Sequence, residues 1–226
     1  MKERVIISLG GSLVIPEEID VPFLKEFRSL ILAHVRKGQK FIIIVGGGKT
    51  CRKYQQAASR TTTPIPEDLD WIGIHTTRLN AHLLRTIFRE IAHPAVIKNP
   101  KEKIKAKKPV IIAAGWKPGC STDYDAVLLA ENFKAKTIIN LTNIDFVCTS
   151  DPNKDKSAKP IRQIAWNEFR KLVGNRWDPG LNAPFDPVAS REAQRKGLRV
   201  AIMNGRNLKN LENFLGGKPF KGTIIS

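Results

Sequence analysis

Short apolar runs rich in valine and isoleucine alternate along the chain with stretches in which apolar residues recur at helical spacing. The apolar runs predict buried strands at Val5–Leu9, Phe41–Val45, Ala95–Lys98, Val110–Ala114, Thr137–Leu141 and Arg199–Met203. Helical spacing is clearest from Phe23 to His34, before Gly38, and recurs in Ile74–Ile91 and Ala126–Phe133. This alternation is typical of a mainly parallel sheet covered by helices on both faces. The sequence therefore predicts an α/β fold whose ligands bind beyond the carboxyl ends of the strands.

Three polar segments interrupt this rhythm. Thr61–Asp68 has two prolines and no periodicity, so it predicts a loop, and Ser150–Pro160 is also loop-like. Lys98–Lys108 is dense in lysine. We interpret it as a solvated face rather than a dedicated nucleic-acid patch, because it lacks interleaved aromatic residues and arginines. A soft boundary near Lys134 separates an amino-terminal from a carboxyl-terminal half.

Composition narrows the choice of partner. The 226 residues include 38 Lys and Arg against 21 Asp and Glu, a formal net charge of +17, so partners or substrates are expected to be anionic. Nucleic acids, phosphorylated metabolites and acidic membrane surfaces all satisfy that expectation. Cys51, Cys120 and Cys148 are far apart, which favours neither a zinc ribbon nor a disulfide framework and fits a reducing, intracellular setting. No apolar run approaches membrane-spanning length. Met1–Ile15 has the basic start and apolar middle of a signal peptide, but Gly10-Gly11-Ser12 interrupts the apolar part and Pro16-Glu17-Glu18 stands in place of a cleavage site, so we do not interpret it as one.

Glycine-rich turns follow three of the predicted strands. The first turn is Gly10-Gly11-Ser12, the second is Gly46-Gly47-Gly48, and the third runs from Gly115 to Asp123. Glycine permits positive φ angles and brings backbone N–H groups close to phosphate oxygens, and a following helix adds unpaired N–H donors. One such turn alone is more often a packing device. Three at one sheet edge predict a phosphate-binding site.

These turns are not the commonest phosphate loops. Gly48-Lys49-Thr50 resembles the end of a Walker A motif, but the earlier glycine of that motif would fall on Ile43, inside a strand. A dinucleotide G-x-G-x-x-G motif beginning at Gly46 would need glycine at Cys51. Both motifs are therefore excluded.

Charged residues beside the turns suggest phosphate chemistry. Lys49 and Arg52 follow the second turn, and the planar guanidinium of Arg52 suits a phosphate group. Asp70 is interpreted either as the N-cap of a helix beginning at Trp71 or as a ligand of ribose hydroxyls, and Asp123 has the same ambiguity. Lys49 and Arg52 are also compatible with a solvated helix face that binds no ligand, and the sequence does not decide between the two interpretations.

Taken in order, the motifs resemble the amino acid kinase superfamily, and within it the uridylate (UMP) kinases of archaeal type. The resemblance extends over nearly the whole chain. The stretches that carry it are Gly10–Ser12, Val45–Lys49, Arg52–Tyr54, Ile72–Ile74, Thr77–Ala81, Pro118–Gly119, Thr122–Asp123, Leu141–Asp145, Thr149–Asp155 and Gly222–Ile225.

The resemblance implies a three-layer αβα sandwich around a mainly parallel sheet, formed by residues 1–226 as a single unit. Residues 1–134 would bind the acceptor UMP and residues 135–226 would bind ATP. It also implies transfer of the ATP γ-phosphate to UMP in pyrimidine nucleotide biosynthesis, with ATP and Mg²⁺ as cofactors. No protein ligand is assigned to the metal. Members of the family are cytoplasmic homo-oligomers, commonly hexamers. Nucleic acid would bind only through the basic surface, and no membrane is involved.

The family's site residues carry over by motif. The catalytic group would be Arg52, Lys49 and Asp123. The ATP-binding group would be Gly11, Ser12, Gly48, Arg52, Thr142, Asn143, Cys148 and Asp151. The UMP-binding group would be Gly47, Asp70, Trp116, Lys117, Pro118, Gly119, Cys120, Ser121 and Thr122. No general base is expected, because the acceptor phosphate oxygen is already ionised.

Several residues depart from the family pattern. Ser8 stands where many members carry lysine, Phe146 replaces a glycine, and Cys148 replaces a tyrosine whose ring lies near adenine. Trp116 is bulky for the third turn, and Tyr124-Asp125 is atypical after Thr122-Asp123. Two alternatives therefore stay open: an acyl-phosphate-forming kinase of the same fold, and a non-catalytic nucleotide- or nucleic-acid-binding protein.

Overall fold

The computed structural model describes residues 4–152, 154–174 and 183–226. Its strands, in chain order, are β1 (Arg4–Leu9), β2 (Lys40–Val45), β3 (Val110–Ala113), β4 (Thr137–Thr142), β5 (Val147–Cys148), β6 (Pro160–Ile161), β7 (Gln163–Ile164), β8 (Arg199–Asn204) and β9 (Thr223–Ile225). Seven of them form one sheet in the order β3-β2-β1-β4-β8-β9-β7, and β5 and β6 form a separate antiparallel pair. The prediction of a mainly parallel sheet is confirmed. Strands β3, β2, β1, β4 and β8 run in one direction, whereas β9 pairs antiparallel with β8.

The register of the central strands places their carboxyl ends at one level. Leu9 of β1 is paired with Val45 of β2 and with Leu141 of β4. The first and second turns therefore leave the sheet side by side, next to the end of β4. We call this the carboxyl edge, and we call the opposite edge, where the five parallel strands begin, the amino edge.

The helices, in chain order, are α1 (Gly11–Val14), α2 (Val21–Arg36), α3 (Gly48–Thr61), α4 (Pro66–Ile87), α5 (Thr122–Asn132), α6 (Trp166–Val173), α7 (Pro187–Arg195) and α8 (Leu208–Leu215). Several begin at a side-chain cap of the kind that satisfies unpaired helix amides. Asp20 accepts a hydrogen bond from the Phe23 N–H at the start of α2, and Asp186 accepts one from the Ala189 N–H at the start of α7.

Two apolar cores on opposite faces of the sheet make the molecule a three-layer sandwich, as expected. On one face, Phe27 of α2, Leu84 of α4 and Leu211 of α8 pack with the alternate strand residues Ile7, Ile43 and Ile139. The other face buries α5, α6 and α7 against the intervening strand residues. That second core includes Ile6, Ile42, Val127, Leu129, Phe169 and Ala193. Both faces of the central sheet are buried under helices, which explains why its strands are continuous apolar runs.

Two local predictions were wrong. Ala95–Lys98 is not a strand: residue Ile97 makes only an isolated bridge to Ala113, beside the edge strand β3. The loop predicted at Thr61–Asp68 is shorter, because α3 continues to Thr61 and α4 already begins at Pro66. Proline suits the first position of a helix, where its missing N–H has no intrahelical role, so Pro66 starts a helix instead of extending the loop.

The central sheet is continuous across Lys134, since β1 pairs with β2 on one side and with β4 on the other. Among the helices of the described residues, none has the length and apolar character needed to cross a bilayer.

Candidate functional site

The first and second glycine turns are in direct backbone contact. The Gly46 N–H donates to the Leu9 carbonyl at 3.0 Å, and the Gly10 N–H donates to the Leu141 carbonyl at 2.8 Å. A Cβ added to Gly11 would lie 2.1 Å from the Gly48 nitrogen, a distance that no real side chain allows. Gly48 has a φ of +67°, in the left-handed region that favours glycine. Both glycines are therefore required by the close approach of the two turns.

Three backbone donors at this contact have no hydrogen-bond partner in the described part of the chain. The N–H groups of Gly11, Gly47 and Gly48 have no hydrogen-bond acceptor among the described residues, and Gly47 offers no side-chain cap to α3. The Lys49 N–H is not available in the same way, because it donates to the Ile15 carbonyl at 3.0 Å. Unpaired amides at a helix start form a site for anions.

Lys49 and Arg52, the two cations predicted beside the second turn, differ in their contacts. Lys49 forms an ion pair with Glu17 at 2.8 Å, and this hydrogen bond lowers the pKa of the Glu17 carboxyl. Arg52 is exposed and makes no ion pair or hydrogen bond with any residue that the structure describes. Arg52 is thus the cation that can turn toward a bound phosphate without breaking a contact.

A further cation at the first turn was missed by sequence reasoning. Arg206, which follows β8, forms an ion pair with Asp20 and donates a hydrogen bond to the Ser12 carbonyl at 3.4 Å. The Gly205-Arg206 pair directly after a strand is the same signal that identified the second turn, and it was present in the sequence.

Asn80 of α4 was likewise recognised only as part of a motif. Its side-chain amide donates to the carbonyls of Gly46 at 2.9 Å and Gly47 at 3.2 Å. These two bonds hold the second turn against α4. The side chain of Asn80 is buried, so the bonds are shielded from water.

Asp70 connects α4 to the third turn. Its Oδ2 accepts a hydrogen bond from the Gly119 N–H at 2.8 Å, and Gly119 has a φ of +76°. The N-cap interpretation of Asp70 was wrong, because α4 starts at Pro66 with Ile65 as its N-cap residue. Asp70 therefore lies inside the helix, and its second carboxylate oxygen has no partner among the described residues.

Trp116 is fixed by contacts to both sides of its peptide unit. Its N–H donates to Oδ2 of Asp125 at 3.0 Å, and its carbonyl accepts from Nη2 of Arg78 at 3.0 Å. The ammonium groups of Lys117 and Lys101 lie 4.5 Å and 5.5 Å from the centre of the indole ring. Trp116 is half-buried. Its indole ring therefore forms an aromatic surface at the third turn, with two ammonium groups within cation–π distance.

Asp123, near the start of α5, lies between β1 and the start of α7. Its Oδ1 accepts from the Ser8 hydroxyl at 3.0 Å, and its Oδ2 accepts from the Asp186 N–H at 3.2 Å. Desolvation, followed by the nearby Asp186 carboxylate, raises the pKa of Asp123 to about 6. The N-cap interpretation of Asp123 was also wrong, since the Ser121 side chain caps α5 by accepting from the Tyr124 N–H.

Asp125 is the most unusual group near the third turn. Asp125 is fully buried, and its Oδ1 has no hydrogen-bond partner among the described residues. Desolvation raises the pKa of Asp125 to about 7, against the opposing effect of the Trp116 N–H. Asp125 therefore fixes the third turn by accepting a hydrogen bond through Oδ2, while Oδ1 is buried without a hydrogen-bond partner among the described residues.

A cavity of about 680 Å³ opens beyond β4. The predicted ATP residues Thr142, Asn143, Cys148 and Asp151 all line it. Phe146 lines it too, with the Arg162 guanidinium 5.8 Å from its ring centre. The chain thus provides an aromatic surface through Phe146 in a cavity where Cys148 provides none.

Asp145 closes one side of this cavity. It accepts hydrogen bonds from Nζ of Lys221 at 2.6 Å and from Nδ2 of Asn204 at 3.0 Å. The hydrogen bond from Lys221 is the largest of the causes that lower the pKa of Asp145. Within the described ranges, no group of three or more His, Cys, Asp or Glu side chains is arranged to hold a metal ion.

Comparison with known proteins identifies close relatives. Residues 3–204 match the family model described as "Amino acid kinase family". The uridylate kinase of Thermococcus sibiricus is 33% identical over 225 residues, which cover 98% of this chain and 99% of that protein. The uridylate kinase of Methanospirillum hungatei is 34% identical over 225 residues, covering 98% and 94% respectively.

Solved structures agree in fold. The crystal structure of uridylate kinase from Archaeoglobus fulgidus superposes with a TM-score of 0.84 at 32% identity, covering 99% of this chain and all of that one. A UMP kinase from Bacillus anthracis superposes with a TM-score of 0.79 at 22% identity, over 99% of this chain and 96% of that one, and shows the common fold.

Proposed function

The chain belongs to the amino acid kinase family, and from that premise we propose that it is a uridylate kinase, which transfers the γ-phosphoryl group of ATP to UMP. Full-length relatives and a neighbour of known structure that carry this name support the proposal. The observation that carries it in this chain is the backbone contact between Gly11 and Gly48 at the carboxyl edge. That contact places free amides between the third turn on one side and the cavity beyond β4 on the other.

In this proposal the two nucleotides bind tail to tail across the first and second turns. The amides of Gly11, Gly47 and Gly48 bind the phosphate groups, and Arg52 turns inward to balance the charge of the moving phosphoryl group. Aligning two anionic nucleotides and neutralising their charge accounts for most of the rate enhancement in such a transfer, so no side chain has to act as a general base.

Mg²⁺ fits this arrangement as a companion of ATP. It keeps several waters and prefers phosphate oxygens to an all-protein cage. When bound, the ion neutralises charge on the phosphate chain. The protein contributes the amides and Arg52 to this neutralisation, and Asp123 is the carboxylate that this proposal adds near them, hydrogen-bonded to Ser8 of β1.

The acceptor binds beneath the third turn. Asp70 keeps one carboxylate oxygen free for the ribose hydroxyls while its other oxygen orders Gly119. The segment from Trp116 to Thr122 surrounds the uracil ring and the ribose. A ribose offers hydroxyl donors to Asp70, whereas an acyl acceptor would add an unpaired negative charge, and this difference favours a nucleotide over a carboxylate or carbamate.

The donor binds on the other side. Thr142, Asn143, Cys148 and Asp151 surround the adenine nucleotide in the 680 Å³ cavity, whose volume lies within the range of about 300–1,000 Å³ typical of ligand sites. Phe146 replaces the missing tyrosine ring as a surface for adenine.

The chain also assembles into a homo-oligomer in this proposal, a hexamer as in its family, and works in the cytoplasm. Exposed apolar side chains on and between the packed helices α3 and α4 support assembly: Tyr54 and Leu79 are each 65% exposed and Ile65 is 58% exposed. Light scattering of the purified protein tests it. Wild type is expected to be oligomeric, and the variant Tyr54→Glu/Leu79→Glu is expected to dissociate; a monomeric wild type contradicts the proposal.

A coupled assay tests the activity. ATP is offered with UMP, CMP, AMP, GMP, acetylglutamate or carbamate as the acceptor, and UMP is expected to be phosphorylated most efficiently. Turnover of an acyl acceptor in preference to UMP would replace the proposed function with an acyl-phosphate-forming kinase. Absence of turnover with every acceptor would leave a nucleotide-binding protein.

A further inference from the structure

The amino edge of the sheet, opposite the carboxyl edge, is lined with cations. Arg4, Lys40 and Arg199 are the first residues of β1, β2 and β8. Arg4 and Lys40 are paired in register, so they stand on neighbouring strands about 4.8 Å apart. These residues are far apart in the sequence, and only the parallel sheet brings them to one edge.

The lysine-dense segment ends at the same edge. Lys103, Lys105 and Lys107 are exposed, while Ile104 and Ala106 between them are partly buried against the second core. This alternation is typical of an extended chain, in which alternate side chains project to the same side roughly 6.6 Å apart. The segment therefore presents its lysines as a row rather than as a disordered tail.

Hydrogen bonds anchor this row to the sheet. The Arg4 guanidinium donates to the carbonyls of Ala106 at 3.2 Å, Lys108 at 3.1 Å and Pro109 at 3.0 Å. Farther along, the Asn132 side chain donates to the Glu102 carbonyl at 2.7 Å. Because the backbone is already ordered, binding an anion to the lysines costs less conformational entropy than ordering a free tail would.

A cavity of about 430 Å³ opens on the amino edge beside these cations. Phe214 and Phe220 line it, with ring centres 4.7 Å apart in an edge-to-face arrangement, and Arg199 and Lys218 lie at the same cavity. Its polar lining includes Thr137 and, as far as the structure describes it, no carboxylate. The cavity combines positive charge, aromatic surface and space for one planar ring.

From these features together we propose that the amino edge binds single-stranded nucleic acid. The row of lysines, with Lys40 and Arg199, would bind successive phosphates, while Arg4 anchors the row through its backbone hydrogen bonds. The cavity with Phe214 and Phe220 would accept a base, since aromatic side chains beside a basic track are the usual arrangement of single-strand sites. A membrane surface fits less well, because the large exposed hydrophobic side chains of the described residues, such as Ile19, Tyr54 and Leu79, do not lie at strand starts.

Fluorescence anisotropy with a labelled 20-nucleotide single-stranded RNA of mixed sequence tests the proposal. Saturating ATP analogue and UMP keep the carboxyl edge occupied, so that the RNA reports only other surfaces. Titrations at several salt concentrations are run on the full chain, on Lys103→Ala/Lys105→Ala/Lys107→Ala, and on a matched control, Lys25→Ala/Lys171→Ala/Arg191→Ala. The control removes three exposed charges from the helices α2, α6 and α7.

We expect wild type and control to bind RNA alike. The row variant should bind at least tenfold more weakly. The plot of its log affinity against log salt should be less steep by about 2, since each of the three lost phosphate contacts contributes about 0.7 to the steepness. Its kinase activity should be unchanged. Phe220→Leu should weaken binding of single-stranded RNA more than binding of a duplex of the same length.

Equal affinities for the row variant and the control would overturn the proposal, because charge alone would then explain binding. Equal effects of Phe220→Leu on single-stranded and duplex RNA would remove the cavity from it. Binding to vesicles containing phosphatidylserine without binding to RNA would overturn it in favour of a membrane surface. Because activity with ATP and UMP is measured separately, failure here is distinguishable from failure of the proposed function.

Discussion

Replacing Gly11 with alanine tests the contact between the first and second turns. The added Cβ would lie 2.1 Å from the Gly48 nitrogen and 2.6 Å from the Gly46 carbonyl carbon, whereas ordinary contacts begin near 3.4 Å. The neighbouring atoms are backbone, so the turns have to separate by about 1 Å. Overpacking of this kind costs about 1–3 kcal/mol of stability. A displacement of about 1 Å at a reacting centre costs about 10²-fold in rate.

The variant should therefore fold, with a melting temperature lowered by roughly 2–12 °C, while kcat/KM for UMP phosphorylation falls by about 10² or more. Gly197→Ala is the matched control. Gly197 has a φ of +61° and no atom within 4 Å of an added Cβ, so alanine there costs about 1–2 kcal/mol through backbone strain alone. That control should lose stability and keep its activity. If Gly11→Ala keeps kcat/KM within twofold of wild type, the two turns do not form the phosphate site.

Three further changes test individual side chains. Arg52→Ala should lower kcat by about 10³-fold or more, as removal of a transition-state arginine does, whereas Lys53→Ala, one residue away, should leave kcat nearly unchanged; equal effects would remove Arg52 from the mechanism. Asp70→Ala should raise KM for UMP more than KM for ATP, and the opposite split in steady-state kinetics would contradict its assignment to the acceptor. Because ionisation of Asp125 is disfavoured in the folded state, its contribution to stability should be lost as pH rises from about 4 through about 7. Asp125→Asn should therefore be more stable than wild type at pH 8, by on the order of 1 kcal/mol, and not at pH 5; an equal difference at both pH values in urea unfolding would show that charge is not the cause.

The parts of the fold that depend on local pattern were predictable from sequence. The strands that form the centre of the sheet read as continuous apolar runs because both of their faces are buried. The turns at Gly11 and Gly48 were recognisable because close backbone approach permits only glycine there. The segment at Ala95–Lys98 misled because it runs beside the edge strand with only isolated bridges, which the same apolar pattern does not reveal.

Contacts between distant parts of the chain were not predictable. Arg78 and Asp125 hold opposite sides of the Trp116 peptide, and neither partner can be read from spacing. The same holds for Ser8 and Asp123, which a parallel sheet and a helix start bring together across 115 positions. Ser8, which suggested a weakened site when considered alone, supports the buried carboxylate through a hydrogen bond in place of a lysine charge.

The cations of the amino edge were likewise not predictable as a group from the sequence. The sequence drew attention to Lys98–Lys108 and favoured a solvated face for it. Arg4, Lys40 and Arg199 gave no signal, because each is an isolated cation at the beginning of an apolar run. Their convergence depends on strand order and register, which composition does not contain.

The central claim is that free amides and Arg52 at the carboxyl edge hold two nucleotides with their phosphates tail to tail. Calorimetric titration with adenosine and uridine joined through five phosphates measures this directly, since one molecule of that compound occupies both subsites. We expect one molecule to bind per chain, at least 100-fold more tightly than ATP or UMP alone, with the gain lost in Gly11→Ala. Binding no tighter than ATP, or two molecules per chain, would contradict the account.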